Sequence, residues 1–291
     1  MIREFAPAKV NLFLHVGQKR ADGYHELESL VVFASVGDEL VLEEADALSL
    51  DLEGPFAAAL KNEPGNLVLR AARRFGELAQ VEPKVRITLA KNLPVASGIG
   101  GGSSDAAATL RGLSRLNRGR TNLQALWDIA PELGSDVPVS VLPGCWLMSG
   151  RGERFSNVND FPTLDALLVN SGAPVFTAEV YAALGERTGT GSAKRPSRVT
   201  RMAEVVDYLR STANDLEQPA RSLCPVIGEQ LALLEGSGAL LARMSGSGAT
   251  CFGLYPDGVS TQMAAEKIAR EHPNWWLAPT RLNFGRRWEI Q

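Results

Sequence analysis

The chain has 291 residues, with 45% hydrophobic and 22% charged. That is enough for about two domains with a real core, and it excludes a disordered or fibrous protein. The 30 lysines and arginines against 33 aspartates and glutamates leave a net charge of -3, without the basic excess of a nucleic-acid binder.

In chain order, Ala6 to Val16 alternates. This predicts a strand with Lys9 and Asn11 on one face and Ala8, Val10, Leu12, Leu14 and Val16 on the other. Arg20-Ala-Asp-Gly-Tyr-His25 is a turn by composition, and strands are expected over 30–33 and 39–42. Helical spacing runs from Asn66 to Leu78, and alternation returns over 85–89. A second helix is expected from Ser103 to a stop at 117–119, and a short one over 123–130. Val137–Val141, Cys145–Met148 and Ala166–Asn170 read as strands, and 188–197 as a surface loop rich in small polar residues. A glycine turn at 245–248, a strand at 250–255, a helix at 262–271 and a final strand close the chain. The interspersed elements predict an α+β protein with a boundary between residues 155 and 165.

Cys145, Cys224 and Cys251 are far apart, and His15, His25 and His272 lack metal-site spacing. The expectation is neither a disulfide framework nor a zinc centre, in a reducing compartment. The first residues form no signal core, and no apolar run is long enough to cross a membrane. Glycine is in surplus, 28 against roughly 20 at average usage.

The surplus concentrates in Leu93-Pro-Val-Ala-Ser-Gly-Ile-Gly-Gly-Gly-Ser-Ser-Asp105. A glycine loop opening a helix exposes backbone N–H groups at the positive end of the helix dipole, which suits phosphate oxygens. Ser103 or Ser104 could cap that helix. The loop has neither the Walker pattern nor the full dinucleotide fingerprint. By residue type alone, Asp136 is a turn aspartate, Lys9 a solvated strand lysine, and Tyr24 and His25 are turn aromatics able to stack on a nucleobase.

Pro94-x-x-x-Gly98-Ile-Gly-Gly-Gly-Ser-Ser104 resembles the phosphate loop of the GHMP kinases. Ala6-Pro-Ala-Lys-Val-Asn-Leu12 and Arg243-Met-Ser-Gly-Ser-Gly-Ala-Thr-Cys251 resemble that family's first and third motifs, in the same order along nearly the whole chain. Pro7–Leu14, Arg20–Leu27, Leu133–Pro138, Gly150–Glu153 and Asn214–Glu217 are similar to one branch, whose acceptor alcohol carries a cytidine diphosphate. Ser97 and Ile99 stand where glycine or alanine and leucine are more usual, and Ser140 and Trp146 where a large apolar and a small residue are.

The resemblance implies a two-domain fold with the active site between the domains. Residues 1–160 would form an N-terminal domain like domain two of a small-subunit ribosomal protein, and 161–291 a ferredoxin-like C-terminal domain. It implies ATP as phosphoryl donor, held by Pro94, Val95, Ala96, Ser97, Gly98, Ile99, Gly100, Gly101, Gly102, Ser103 and Ser104. Asn66 and Lys91 would line the adenine pocket. Asp136 would be the base and Lys9 its cationic partner, and Asn11, Tyr24, His25 and Tyr181 would hold the acceptor. Mg2+ is implied, with Ser104 as candidate ligand. The expected partner is a small molecule, with no nucleic acid or membrane, for a cytoplasmic monomer or weak homodimer. A homoserine- or mevalonate-type kinase, or a non-catalytic binding protein on this fold, are the alternative readings.

Overall fold

The computed structural model describes residues 1–21, 23–61, 65–117, 121–185 and 199–284. A long antiparallel hairpin, β1 (Ile2–Lys19) and β2 (His25–Glu44), runs through the molecule. The two strands expected over 30–33 and 39–42 are one, because the residues between them stay paired to β1, as at Pro7 with Gly37. The pairing shifts register after Pro7, Asn11 and Val16. Each shift rephases the alternation. The simple two-face expectation for β1 therefore ends at Asn11. Phe13 joins the apolar cluster of Val10 and Leu12, while Leu14 and Val16 enter a different one.

Around this hairpin, β4 (Val85–Ala90) and β5 (Trp146–Gly150) pair antiparallel with β2. β3 (Ser49–Glu53) lies parallel to β4, and β6 (Arg154–Asn157) antiparallel to β5. Helices α1 (Leu67–Ala79), α2 (Gly101–Leu116), α3 (Leu123–Leu133) and α4 (Val137–Val141) cover this sheet. Asn66 caps α1, its Oδ1 accepting the Val68 N–H at 2.9 Å. Ala106, Ala107 and Ala108 let α2 lie against β1, and it is buried from Ser104 to Ser114.

Val137–Val141 was expected as a strand and is a helix. Its valines favour β structure, but Pro138 suits a helix's first turn, where its missing N–H is no loss. Packing decides between the two. Arg111 of α2, fully buried, donates to the carbonyls of Ser140 (2.9 Å) and Phe5 (2.7 Å) and to the Glu4 carboxylate (3.0 Å). The Ser140 hydroxyl donates back to the Asp136 carbonyl at 2.8 Å.

The second sheet contains β7 (Leu164–Asn170), β8 (Leu241–Met244), β9 (Cys251–Tyr255) and β10 (Trp276–Leu282). Its order is β10-β7-β9-β8, all antiparallel. This first-strand-beside-fourth arrangement is that of a ferredoxin-like unit. Helices α5 (Thr177–Leu184), α6 (Met202–Arg210), α7 (Glu217–Leu223), α8 (Val226–Gly236) and α9 (Gly258–Glu271) complete it. The last helix starts before the expected Gln262 because Asp257 caps it, accepting the Ser260 N–H at 2.7 Å. Leu231, Leu234, Ala264 and Ile268 pack on one face of the sheet. The other face, with Ala166, Leu168, Phe252 and Leu254, packs on the central hairpin through Val10, Leu12, Phe13 and Val32. One bridge, Leu282 to Ala34, joins the two sheets edge to edge. The expected 188–197 loop lies outside the described residues.

Arg111 is thus a bolt between β1, α2 and α4. Arg111→Ala strands two buried carbonyls and should lower stability by about 3 kcal/mol. The fall is read as an earlier urea midpoint at unchanged slope.

Candidate active site

A cleft of about 1180 Å3 opens between the two sheets. Its floor is the loop from Pro94 to Gly100. Gly98 has φ 76° and Gly100 φ 61°, conformations that favour glycine. The tighter constraint at Gly98 is space, since a Cβ there would lie 2.6 Å from the Ser245 carbonyl oxygen and 2.7 Å from that of Gly248. Backbone from the third motif therefore rests directly on backbone of the phosphate-type loop. The Thr250 N–H donates to the Ser97 carbonyl (3.1 Å), the Ser245 hydroxyl to the Gly98 carbonyl (3.1 Å), and the Lys9 N–H to the Ile99 carbonyl (2.9 Å). Ile99 is buried in the core beneath the loop. The Ser97 hydroxyl closes the turn on the Pro94 carbonyl at 2.7 Å.

Helix α2 begins at Gly101, earlier than the predicted Ser103, with Gly100 at the N-cap. Its first turn leaves backbone N–H groups without intrahelical partners, and Gly101, Gly102 and Ser103 line the cleft there. Ser104 does not. It is fully buried, and its hydroxyl donates to the Pro7 carbonyl at 2.7 Å. The expectation that Ser104 caps the helix or ligates magnesium is corrected accordingly, since a serine one residue beyond the cleft wall points inward.

Lys9 and Asp136, distant in sequence, meet in the cleft. Lys9 Nζ lies 2.8 Å from Asp136 Oδ1; the lysine side chain is 6% exposed and the aspartate 33%. Asp136 sits on the turn that enters α4. The Lys9 side chain crosses the loop, its Cβ and Cε 3.2 Å from where a Cβ on Gly100 would stand. A cation, a carboxylate and an open helix N-terminus therefore share one place.

Asn11 also lines the cleft. Its Nδ2 donates to the Ser29 hydroxyl at 2.8 Å and its backbone N–H to the Ser245 hydroxyl at 3.1 Å, leaving Oδ1 buried without a protein partner among the described residues. On the far side, the His25 and Tyr181 rings face each other at 5.6 Å and 34°. His25 Nδ1 lies 3.1 Å from the Gly17 carbonyl oxygen. A carbonyl oxygen can only accept, so Nδ1 donates, and the tautomer this selects presents Nε2 as an acceptor. Burial, helped by the Asp136 charge, pushes the Tyr181 hydroxyl up to about 12, so it remains a donor at neutral pH. Tyr24 and Phe176 stand exposed at the rim, 60% and 61%.

Asn66 and Lys91 line the donor end with Leu60, Leu67 and Val68. The Lys91 ammonium is not available to a ligand. It is 2% exposed and held by Asp38 at 2.5 Å and Asp105 at 2.7 Å. Burial works against that charge, but the two carboxylates outweigh it and raise the lysine pKa. Burial pushes the Asp105 carboxyl well above the usual carboxylate range, and its Oδ1 has no partner among the described residues. The expected role of Lys91 is thus limited to its place in the wall.

Sequence reasoning missed Asp38, Asp105 and the braces behind the third motif. Asp105 ends the very Gly-Ser-Ser-Asp stretch that signalled the loop, whereas nothing near Asp38 marks it. Arg243, in the third motif, donates to the carbonyls of Leu12 (2.7 Å), Leu209 (2.9 Å) and Thr212 (2.8 Å) rather than into the cleft. Asn214 donates to the Met244 and Gly246 carbonyls, both at 2.8 Å, and holds the glycine turn in place. Among the described residues, no group of three or more His, Cys, Asp or Glu could hold a metal ion, and no helix is long and apolar enough to cross a membrane.

Residues 66–144 match the family model described as GHMP kinases N terminal domain, and 198–276 the one described as GHMP kinases C terminal. A protein of Parvibaculum lavamentivorans, named 4-diphosphocytidyl-2-C-methyl-D-erythritol kinase, is 48% identical over 95% of this chain and 96% of its own. One of the same name from Granulibacter bethesdensis is 50% identical over 91% of this chain and 88% of its own. A crystal structure of 4-(cytidine 5'-diphospho)-2C-methyl-D-erythritol kinase superposes with a TM-score of 0.77 at 34% identity, covering 98% of this chain and all of that one. The homoserine kinase of Cytophaga hutchinsonii shares the fold, with a TM-score of 0.73 at 17% identity.

Two predictions follow from the geometry. Gly98→Ala should weaken ATP binding about tenfold or more and lower stability by about 2 kcal/mol or more, because backbone must retreat. Gly258→Ala, whose Cβ would lie 3.6 Å from Asp165 Oδ1, should change neither in calorimetric titration and melting. For Asp105, a raised folded-state pKa means the folded protein holds a proton that the unfolded chain has released. Stability should therefore fall as pH rises above the usual carboxylate range. Asp105→Asn should flatten that fall in urea titrations at pH 5 and pH 8.

Proposed function

This chain belongs to the 4-diphosphocytidyl-2-C-methyl-D-erythritol kinases, a branch of the GHMP kinases, and from that premise we propose how its cleft transfers the γ-phosphoryl group of ATP. The acceptor is the 2-hydroxyl of 4-diphosphocytidyl-2-C-methyl-D-erythritol; the products are the 2-phosphate and ADP, a step in the non-mevalonate route to isopentenyl diphosphate. The observation that carries this reading is the Lys9–Asp136 pair, 2.8 Å apart beside the N-terminus of α2.

Phosphoryl transfer needs positioning and charge stabilisation more than covalent chemistry. The N–H groups of the first turn of α2 and the loop receive the donor's phosphate oxygens, and Asn66 lies at the adenine end. Asp136 accepts the proton of the attacking hydroxyl, and Lys9 beside it offsets charge on the transferring group. Transfer is direct, from donor to acceptor oxygen, and no enzyme residue is phosphorylated. The cytosine lies at the His25–Tyr181 corner, where His25 Nε2 as acceptor matches the ring's amino donor. Tyr24 covers the rim, and Asn11 Oδ1 is an acceptor aimed at the substrate region.

No protein cage for a divalent ion exists among the described residues. A magnesium ion would be carried largely on the nucleotide's own oxygens, and Ser103 and Asp136 are the cleft residues that would hold it. Bound there, it would neutralise phosphate charge. The donor loop belongs to the half formed by residues 1–160, and the turn that backs it to the half formed by 161–291. The cleft is complete within one chain, which supports a monomer or weak homodimer. Three unpaired cysteines support a cytoplasmic setting.

The test is ADP release with Mg-ATP and, separately, the cytidine acceptor, mevalonate and homoserine. Only the first should turn over. Asp136→Asn should lower kcat by about 10²–10⁴ with ATP binding retained. Near wild-type turnover in the folded variant would remove Asp136 as the base, and preference for mevalonate or homoserine would remove the acceptor assignment.

A further inference from the structure

The base Asp136 stands at the entrance of α4, a helix of 5 residues. A helix this short has no N–H groups of its own for its last carbonyls. Side chains from three other elements supply them. Arg111 of α2 donates to the Ser140 carbonyl at 2.9 Å, Trp146 of β5 to the Leu142 carbonyl at 2.9 Å, and Trp127 of α3 to the Pro138 carbonyl at 3.0 Å. The first two tie α4 into the core. The third closes a loop around the base.

Trp127 and Pro138 are 11 residues apart. The chain between them is the last turn of α3 and the turn into α4, and it lines the cleft from Pro131 to Asp136. Pro131 lies inside α3 and has no N–H to offer the Trp127 carbonyl four residues back, so the helical ladder is broken where this segment begins. The Val137 N–H donates to the Gly134 carbonyl at 3.1 Å and shapes the turn. On the solvent side Glu132 meets Arg74 of α1 at 2.8 Å, an exposed pair of small worth. The indole N–H is thus the tie that joins the two ends of the segment.

The indole is itself held. Trp127 is half-buried, with its ring 5.9 Å from that of Phe155 at 60°, and Phe155 meets Trp146 at 5.4 Å and 85°. Two indole N–H groups therefore hold the chain at Pro138 and Leu142, and Phe155 touches both rings. The base depends on that hold. Its carboxylate must meet Lys9 Nζ, 2.8 Å away, and the acceptor's hydroxyl together. A misplacement of about 1 Å costs about 100-fold in rate. A tie two residues beyond Asp136 limits such a shift without touching substrate.

We propose that Trp127 is a positioning residue: by holding the Pro138 carbonyl, its indole N–H sets where Asp136 stands against Lys9 and the reacting hydroxyl. This rests on the kinase reading above. The test measures kcat, KM for both substrates and melting temperature in wild type, Trp127→Phe and Ile268→Val. It then repeats Trp127→Phe in an Asp136→Asn background, with enzyme in excess over substrate. Phenylalanine keeps an aromatic ring against Phe155 but has no donor. Ile268, buried on α9 in the second sheet's outer cluster, gives a modest loss of stability remote from the cleft. Trp127→Phe should lower kcat about 5–30-fold, with KM for ATP and for the acceptor within about twofold. Both single variants should melt about 2–6 °C lower, and Ile268→Val should keep kcat within about twofold. Once Asp136→Asn has removed the base, adding Trp127→Phe should change the residual rate by less than about twofold. An equal loss in both backgrounds, or wild-type kcat in Trp127→Phe, would overturn the proposal and leave Trp127 as packing alone. Wild-type protein that turns over none of the acceptor would instead overturn the kinase reading itself.

Discussion

The active cleft depends on one close approach of backbone to backbone. The loop from Pro94 to Gly100 is pressed between β1 and the turn at 245–250, and no side chain fits at Gly98 between them. The cleft-lining residues of β1 are referred to that contact. The Lys9 backbone bonds to Ile99, the Asn11 backbone to the Ser245 hydroxyl, and that hydroxyl to Gly98. Behind the turn, Asn214 and Arg243 tie the second half to β1 and to the helix end at Leu209–Thr212. The two halves meet at the apolar layer between the hairpin and the second sheet and again at this loop, so their interface also shapes the floor of the cleft. This explains why a third motif so distant in sequence is rich in glycine although it supplies few side chains to the cleft.

Charge in the cleft is sorted in the same way. Beneath the loop, Lys91 is enclosed by Asp38 and Asp105, and Asp38 also accepts the N–H groups of Asn92 (2.6 Å) and Leu93 (2.8 Å). This cluster fixes the chain entering the loop and lies close under Gly101, where a Cβ would come within 3.1 Å of the lysine nitrogen. A buried ion cluster of this kind is a poor source of net stability, but it is demanding in geometry. It acts here as a positioning element, leaving the backbone amides above it to the ligand. The Lys9–Asp136 pair, by contrast, lines the cleft, and its carboxylate stays 33% exposed.

Much of this was legible in the sequence. The glycine loop, the N-terminal strand bearing Lys9 and Asn11, and the alternation of helices and strands all follow from local pattern. What local pattern could not supply was register. The shift after Asn11 sends Phe13 into the core, although strict alternation would put it beside Lys9 and Asn11. Nor could it supply direction within a motif. Ser103 and Ser104 are equivalent as letters, yet one faces the cleft and the other bonds to Pro7, a distinction set by where α2 begins. Lys91 was visible as a position but not as a member of a triad, because Asp38 lies 53 residues away with no signal of its own.

The segment Val137–Val141 shows how a misread element bears on the chemistry. Had it been a strand, Asp136 would sit at a strand end with its backbone unpaired. As a helix, it brings the Ser140 hydroxyl back to the Asp136 carbonyl, while Arg111 holds the Ser140 carbonyl and reaches Glu4 and Phe5 on β1. The carboxylate is therefore fixed at two ends, by Lys9 at its tip and by this chain of hydrogen bonds at its backbone, and both lead to β1. Ser140 and Trp146, the two residues expected to depart from the family pattern here, are both buried. The indole fills a cluster with Phe33, Val139 and Met148 and donates to the Leu142 carbonyl at 2.9 Å. The Ser140 hydroxyl, for its part, is committed to the Asp136 carbonyl.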